Sequence, residues 1–289
     1  MDPTTEQQPI QKSGVRQLER NEVKADNEWT VITHKSTKSS RRRKHVSANL
    51  LAHARPTEIV QGLNATKLVQ DFNMILTKWR TSKCAVSMQQ MLESQAWHVE
   101  GAVCIGIGSF SLDWENRHRA LWQLALFVDI TNWISIGVKG KSVAIYAQDP
   151  IFTPLDIEFL SMLEHPIQTL DSTIHQHITP HTFVFAPFVD WALLLPVFLD
   201  DTDPLLYIGN EVLADYRAFA VDSSKERKCA DIGKRFLEKR ETHKVPDFEM
   251  HGSALQGLVV HWKTDGDNST CAKVENLSIG FAQLVMHGE

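Results

Sequence analysis

Two glycines, Gly106 and Gly108, interrupt the apolar run Val103-Cys104-Ile105-Gly106-Ile107-Gly108-Ser109 just before a long apolar helical stretch. The run preceding them, with two β-branched residues, suits a short strand covered on both faces. A strand, a glycine turn and a helix start together form a potential anion site. The unpaired N–H groups of a helix N-terminus point into the turn, and glycine lets a ligand approach the backbone closely. Asp149 closes a second strand-like run, Ser142 to Gln148, where a carboxylate could accept hydrogen bonds from ribose hydroxyls. Pro187 follows a fourth run and Gly209-Asn210 follows a fifth. In an open parallel sheet, ligands sit outside the C-terminal strand ends. Gly106, Gly108, Ser109, Asp149, Pro187, Gly209 and Asn210 are therefore the candidate ligand-binding set.

Other groupings carry less chemistry. The third glycine of a full G-x-G-x-x-G is missing, since Ser111 stands there, so the dinucleotide fingerprint is incomplete. His175, His177 and His181 would place two imidazoles on one face of a strand, but a polar loop accounts for them better than a metal site. Asp200, Asp201 and Asp203 lack the glycine and terminal Glu of an EF-hand and read as a turn. No G-x-S-x-G, P-loop or H-E-x-x-H occurs. No catalytic residue and no metal ligand is assigned, and the cofactor stays unidentified.

The elements that must position these residues alternate. Helices over 57–97 carry Ile59, Leu63, Leu68, Phe72, Ile75, Leu76 and Trp79 at three- and four-residue steps. A helix from about Glu115 to Ile134 is apolar nearly all round, so it is deeply buried. Arg117 and Arg119 in its first turns oppose the dipole unless an anion or carboxylate sits nearby, and read otherwise as exposed. Thr153 can cap a helix through Ile157, Leu160 and Leu163. Phe188 to Leu199 is helical and broken near Pro196, Glu211 to Phe219 is helical, 223–244 is a charged helix or loop, and Leu255 to Trp262 is an edge strand. This alternation predicts an α/β, Rossmann-like three-layer domain with a mostly parallel sheet and right-handed crossovers.

Charge is unevenly distributed. The 289 residues carry a formal net charge of −5. Residues 1–45 hold ten Lys/Arg against six Asp/Glu, and the remainder is acidic. Nothing in the whole-chain charge signals nucleic acid. Residues 1–46 have no hydrophobic period and read as a disordered basic arm. Within it, Trp29-Thr30-Val31-Ile32 is an apolar island that could dock or bind a partner. Arg41-Arg42-Arg43-Lys44 could direct nuclear import. No apolar run reaches about 18 residues, so no membrane span is expected. No secretory signal is visible, and four cysteines without C-x-x-C spacing fit a reduced compartment, cytoplasmic and/or nuclear. The expected organisation is the arm at 1–46, an α/β domain at 57–262 with its motifs in 101–220, and a tail at 263–289.

Three stretches in order carry a resemblance: Cys104-Ile105-Gly106-Ile107-Gly108-Ser109, then Asp149-Pro150-Ile151-Phe152-Thr153 with Asp156 beyond, then Ile208-Gly209-Asn210. With the Trp29 island ahead of a basic run, they resemble the SRR-like ("sensitivity to red light reduced") domain family, in a fungal-type form. The resemblance implies a regulatory protein, in circadian and light signalling or in haem-related regulation, with a protein partner and no settled reaction. The family often places a histidine at the position of Phe188 and a Tyr-Asn-Asn stretch near Leu194-Leu195-Pro196. Their replacement here argues against catalysis. The alternative is a Rossmann-like transferase dependent on S-adenosylmethionine or a nucleotide. Gly106 and Gly108 would make room for the cofactor and Asp149 would hold its ribose.

Overall fold

The computed structural model describes residues 58–264, apart from 94, 96, 113, 136–142 and 219–222. The basic arm, including Trp29 to Ile32 and Arg41 to Lys44, and the tail from residue 265 lie outside the described residues.

Seven strands form one sheet. They are β1 (Gly101–Ile105), β2 (Ala144–Gln148), β3 (Gln168–Thr169), β4 (Thr182–Ala186), β5 (Leu206–Asn210), β6 (Arg240–Lys244) and β7 (Leu258–Lys263), in the order β3-β2-β1-β4-β5-β7-β6. β1 to β5 pair in parallel. β7 alone is reversed, running antiparallel to both β5 and β6. Strand order runs outward from β1 to β3 and then restarts at β4, so the β1/β4 junction is the switch point where an α/β sheet opens a crevice.

Helices cover both faces. On one side lie α1 (Ala65–Arg80), α2 (Lys83–Leu92), α3 (Trp114–Ser135) and α4 (Pro154–Ser161). Their apolar side chains share a core with Ala102 and Cys104 of β1, Phe183 and Phe185 of β4, and Leu206 and Ile208 of β5. The alternate strand residues, among them Val103, Val184 and Tyr207, are buried on the other face. There the sheet meets a 3-10 turn at Ser172–His177, the short α5 (Trp191–Leu193) with a π-helical stretch at Leu194–Leu199, and α6 (Ser223–Leu237). Burial on both faces explains why β1 and β4 read as unbroken apolar runs.

Local chemistry sets the helix starts. Asn64 accepts from Lys67 N–H at 2.9 Å and caps α1. Ser82 accepts from Ala85 N–H at 3.1 Å and caps α2. Thr153 caps α4 as expected, in a reciprocal capping box with Asp156 and with Pro154 in the first turn.

Several expectations change. Leu255 to Trp262 is not an edge: β7 is an internal strand, and β6 inside the charged 223–244 stretch is the edge. Residues 211–218 form no helix. Asp215 accepts from Arg217 N–H at 2.9 Å and pairs with its guanidinium, a local turn that competes with helix. His175 and His177 lie on the 3-10 turn and so do not share a strand face. Arg117 is not exposed: its side chain is buried and pairs with Asp71 of α1, the carboxylate that its position in α3 called for. The acidic loop is a neutralised turn. Asp200 meets Arg235 at 2.7 Å and Lys228 at 3.2 Å, and Asp203 meets Arg240 at 2.6 Å and Lys263 at 2.7 Å. Burial would raise both carboxyls, but these cations outweigh it and hold them below the ordinary range. Among the described residues no group of three or more His, Cys, Asp or Glu could hold a metal ion, and no helix is long and apolar enough to cross a membrane.

Candidate functional site

Gly106 directly follows β1 with φ +69°, and Gly108 comes two residues later with φ +88°. Both conformations disfavour any residue with a Cβ. Their surroundings differ. A Cβ at Gly106 would lie 2.6 Å from Cγ2 of Val189, so the loop after β4 packs directly onto this turn. A Cβ at Gly108 would meet nothing within 4 Å, which leaves open space in front of that backbone.

Asp149 stands at the end of β2, facing the turn. Its Oδ2 accepts from Gly108 N–H at 2.7 Å and its Oδ1 from Ile151 N–H at 3.0 Å. The carboxylate therefore fastens the glycine turn to the β2 loop. Ser109 is buried and faces a different carboxylate, donating its hydroxyl to Asp156 Oδ2 at 2.7 Å. Asp156, fully buried, also accepts from Phe110 N–H at 2.9 Å, Thr153 N–H at 2.8 Å and the Thr153 hydroxyl at 3.0 Å. Ser109 Oγ in turn accepts from Ser111 and Leu112 N–H, both at 3.1 Å. The Ser111 hydroxyl shares a hydrogen bond with the Thr153 hydroxyl at 2.9 Å. The backbone N–H groups of Gly108, Phe110, Ser111 and Leu112 are thus met by side chains of the same chain. The β1–α3 loop and the α4 N-terminus form one satisfied network.

Pro187, Gly209 and Asn210 meet this edge from the other side of the switch point. Pro187 is buried after β4. Asn210 Nδ2 donates to Val189 O at 2.9 Å, tying the end of β5 to the loop that covers Gly106. Gly209 and Asn210 are the last residues of β5 and so lie within the strand. A Cβ at Gly209 would lie 2.5 Å from Ala186 O and 2.4 Å from the Tyr207 hydroxyl, so this glycine serves close strand packing. The set therefore divides. Gly106, Gly108 and Asp149 are joined directly or through one contact, Ser109 belongs to the Asp156 network, and Pro187 and Asn210 join through Val189.

Sequence reasoning missed Val189, whose only signal is its place just after β4. It also missed the centrality of Asp156, for which Thr153-x-x-Asp156 was a readable capping signature. Phe188, standing where a family histidine was expected, has φ +58° and is 44% exposed. The Arg119 guanidinium lies 5.5 Å from its ring centroid. A bulky residue in this conformation is a genuine outlier. Leu194 and Leu195 are buried core residues of the π-helical stretch, which carries Pro196 where an α-helical N–H would be required. Cys104 is buried at the base of the turn; burial, with Asp149 adding to it, pushes its thiol well above the ordinary range, so it stays a protonated, inert group.

A family profile described as the SRR1 domain matches residues 68–262. No curated protein matches the chain. Among solved structures, the chain is similar to a candidate O-methyltransferase from Klebsiella pneumoniae, at 13% identity, covering 69% of this chain and 89% of that one with a TM-score of 0.35. It is also similar to an O-methyltransferase from Bacillus cereus in complex with SAH, at 11% identity, 68% and 90% coverage and a TM-score of 0.33. A Thermoplasma acidophilum protein aligns at 13% identity, 69% and 99% coverage and a TM-score of 0.30.

Proposed function

The chain belongs to the SRR1 domain family, and from that premise we propose that it is a non-catalytic regulatory protein whose C-terminal strand edge is its binding surface. The site set is Gly106, Gly108, Ser109, Asp149, Pro187, Gly209 and Asn210, and the occupant is a small ligand or a protein partner. The process regulated is the one the resemblance implies, light and clock signalling or haem-related regulation. One observation carries the reading: the polar groups of the glycine edge are occupied by one another. Asp149 holds the Gly108 amide and Asp156 holds Ser109 and Phe110. The two carboxylates of this network, Asp149 and Asp156, each accept backbone N–H groups, and Phe188 stands where the family often has a polar side chain.

A second reading, a transferase using S-adenosylmethionine or a nucleotide, is favoured by the open space before Gly108 at a topological switch point. A ribose would then have to share Asp149 with the Gly108 amide.

Native mass spectrometry of the full chain incubated with S-adenosylmethionine, NAD or haem separates the two. The regulatory reading expects no methyl or group transfer to any added acceptor, whether or not a ligand mass is retained. A retained S-adenosylmethionine mass that is lost in Gly108→Trp, together with turnover to the demethylated product, would establish the transferase and overturn the first reading.

A further inference from the structure

One polar group beside the glycine edge stands outside the satisfied network. Gln148 is the last residue of β2, directly before Asp149. Its backbone carbonyl accepts from Gly106 N–H at 3.0 Å, so it adjoins the glycine turn. Ile145 and Ala147 belong to the core under α1 to α4, so alternation puts the Gln148 side chain on the opposite face of the sheet. Only 5% of the residue is exposed, and its Oε1 is buried without a hydrogen-bond partner. We infer that the Gln148 amide is the recognition group of the strand-edge site, and that it takes the amino group of a neutral, planar heterocycle of the adenine type.

A buried amide oxygen left unpaired costs stability, and an apolar side chain of the same shape avoids that cost. The strand neighbours do not satisfy it. Ile105 of β1 lies opposite in register on one side. On the other, Leu170 follows β3 and its N–H bonds Ala147 O at 2.9 Å. Both side chains are aliphatic and offer no donor, so Oε1 calls for a donor from a bound molecule. An amide presents its acceptor and its donors side by side in one plane, the pattern that pairs with the amino group and ring nitrogen of adenine. Aliphatic side chains beside it suit the faces of a flat ring. The charge of the edge narrows the class further. Asp149 follows Gln148 and Asp156 holds Ser109, so carboxylates line this end of the sheet and disfavour a phosphate. Gln148 is also one residue from Asp149, which is bonded to Gly108 N–H where the backbone faces open space. The inference rests on the strand-edge reading and names the chemistry of its ligand.

Calorimetric titration of the full chain with adenosine and with purine riboside, which lacks the amino group, tests this. Wild type is expected to bind adenosine about tenfold or more tightly than purine riboside. Gln148→Met should bring the two affinities together, with a urea midpoint no lower than that of wild type, because an apolar side chain of similar shape relieves the unpaired group. Equal affinities of wild type for the two nucleosides overturn the inference whether or not the variant folds. So does a wild type that binds no adenosine, which leaves the strand edge to another occupant. A lowered midpoint in Gln148→Met overturns it as well, since the amide then has a structural partner such as a buried water. Gly108→Trp separates the inference from the reading beneath it. Adenosine binding lost in Gly108→Trp, with the preference kept in Gln148→Met, sustains the strand edge and overturns the role of Gln148. Binding kept in Gly108→Trp places the ligand away from that edge and overturns both.

Discussion

Gly106 and Gly108 are the same residue type, two positions apart, both at positive φ, yet they do different work. Gly106 is a packing glycine, because Val189 occupies the space its Cβ would need. Gly108 is a conformational glycine facing open space. Gly108→Ala should therefore cost only the left-handed strain, about 1 kcal/mol. Gly106→Ala adds a steric clash with a buried branched side chain and should cost about 3 kcal/mol. In the Val189→Ala background the extra cost at Gly106 should largely vanish while the Gly108 cost stays. Urea midpoints of the three single and two double variants read this coupling directly. Equal costs at the two glycines would mean that Val189 yields without penalty. Both glycines and the acidic residue at the end of β2 were legible in the sequence. Their division of labour was not, because a spacing shows that a turn exists and not which neighbour fills it. Asp149 illustrates the point: its place at the end of β2 was readable, and its hydrogen bonds to the amides of Gly108 and Ile151 were not.

At the scale of elements, strands buried on both faces and capped helices were legible, and the β5–β7–β6 end was not. Arg240-Glu241-Thr242-His243-Lys244 has no apolar alternation to mark a strand, because an edge strand needs only one partner and is protected by charge. β7 read as an edge because nothing in its own residues reports the strand beyond it. Its insertion buries His261 completely, with Nδ1 2.8 Å from the Thr242 hydroxyl of β6 and the ring between Tyr207 of β5 and Phe236 of α6. Burial, reinforced by Arg240, lowers its pKa to about 4. The folded state thus keeps His261 neutral where the unfolded chain, with a pKa near 6.5, takes up a proton. Above pH 6.5 the residue adds no pH dependence. As pH falls from 6.5 to about 4, stability is lost progressively, by about 3 kcal/mol in all. His118, also lowered, chiefly by burial and then by Arg117, adds in the same direction. The carboxyls of Asp200 and Asp203, held low by their cations, contribute only at more acidic pH. In His261→Gln, which retains a polar partner for Thr242, the loss between pH 6.5 and 4 should shrink by about 3 kcal/mol in urea titrations at fixed ionic strength. An unchanged acid limb would place the proton uptake elsewhere.

The whole molecule joins an acidic body to a basic arm, and that division carries the remaining prediction. A sheet covered on both faces leaves its functional variety to loops at the strand ends, so the fold predicts where a ligand could bind and nothing about where the protein resides. The expectation of a nuclear location rests on the arm. Arg41-Arg42-Arg43-Lys44 concentrates four cations in a chain of net charge −5. A short basic run acts through charge and accessibility and needs no fold around it. We expect the four-alanine replacement of Arg41, Arg42, Arg43 and Lys44 to leave the urea midpoint unchanged, because the buried apolar core of the described residues is built from positions between Ala65 and Trp262. The same variant, fused to a fluorescent reporter, should lose most of its nuclear fraction. A shifted midpoint with unchanged distribution would make the cluster a structural partner of the acidic body. An unchanged midpoint with unchanged distribution would remove nuclear import from its role and leave the Trp29 island as the arm's remaining candidate for partner binding.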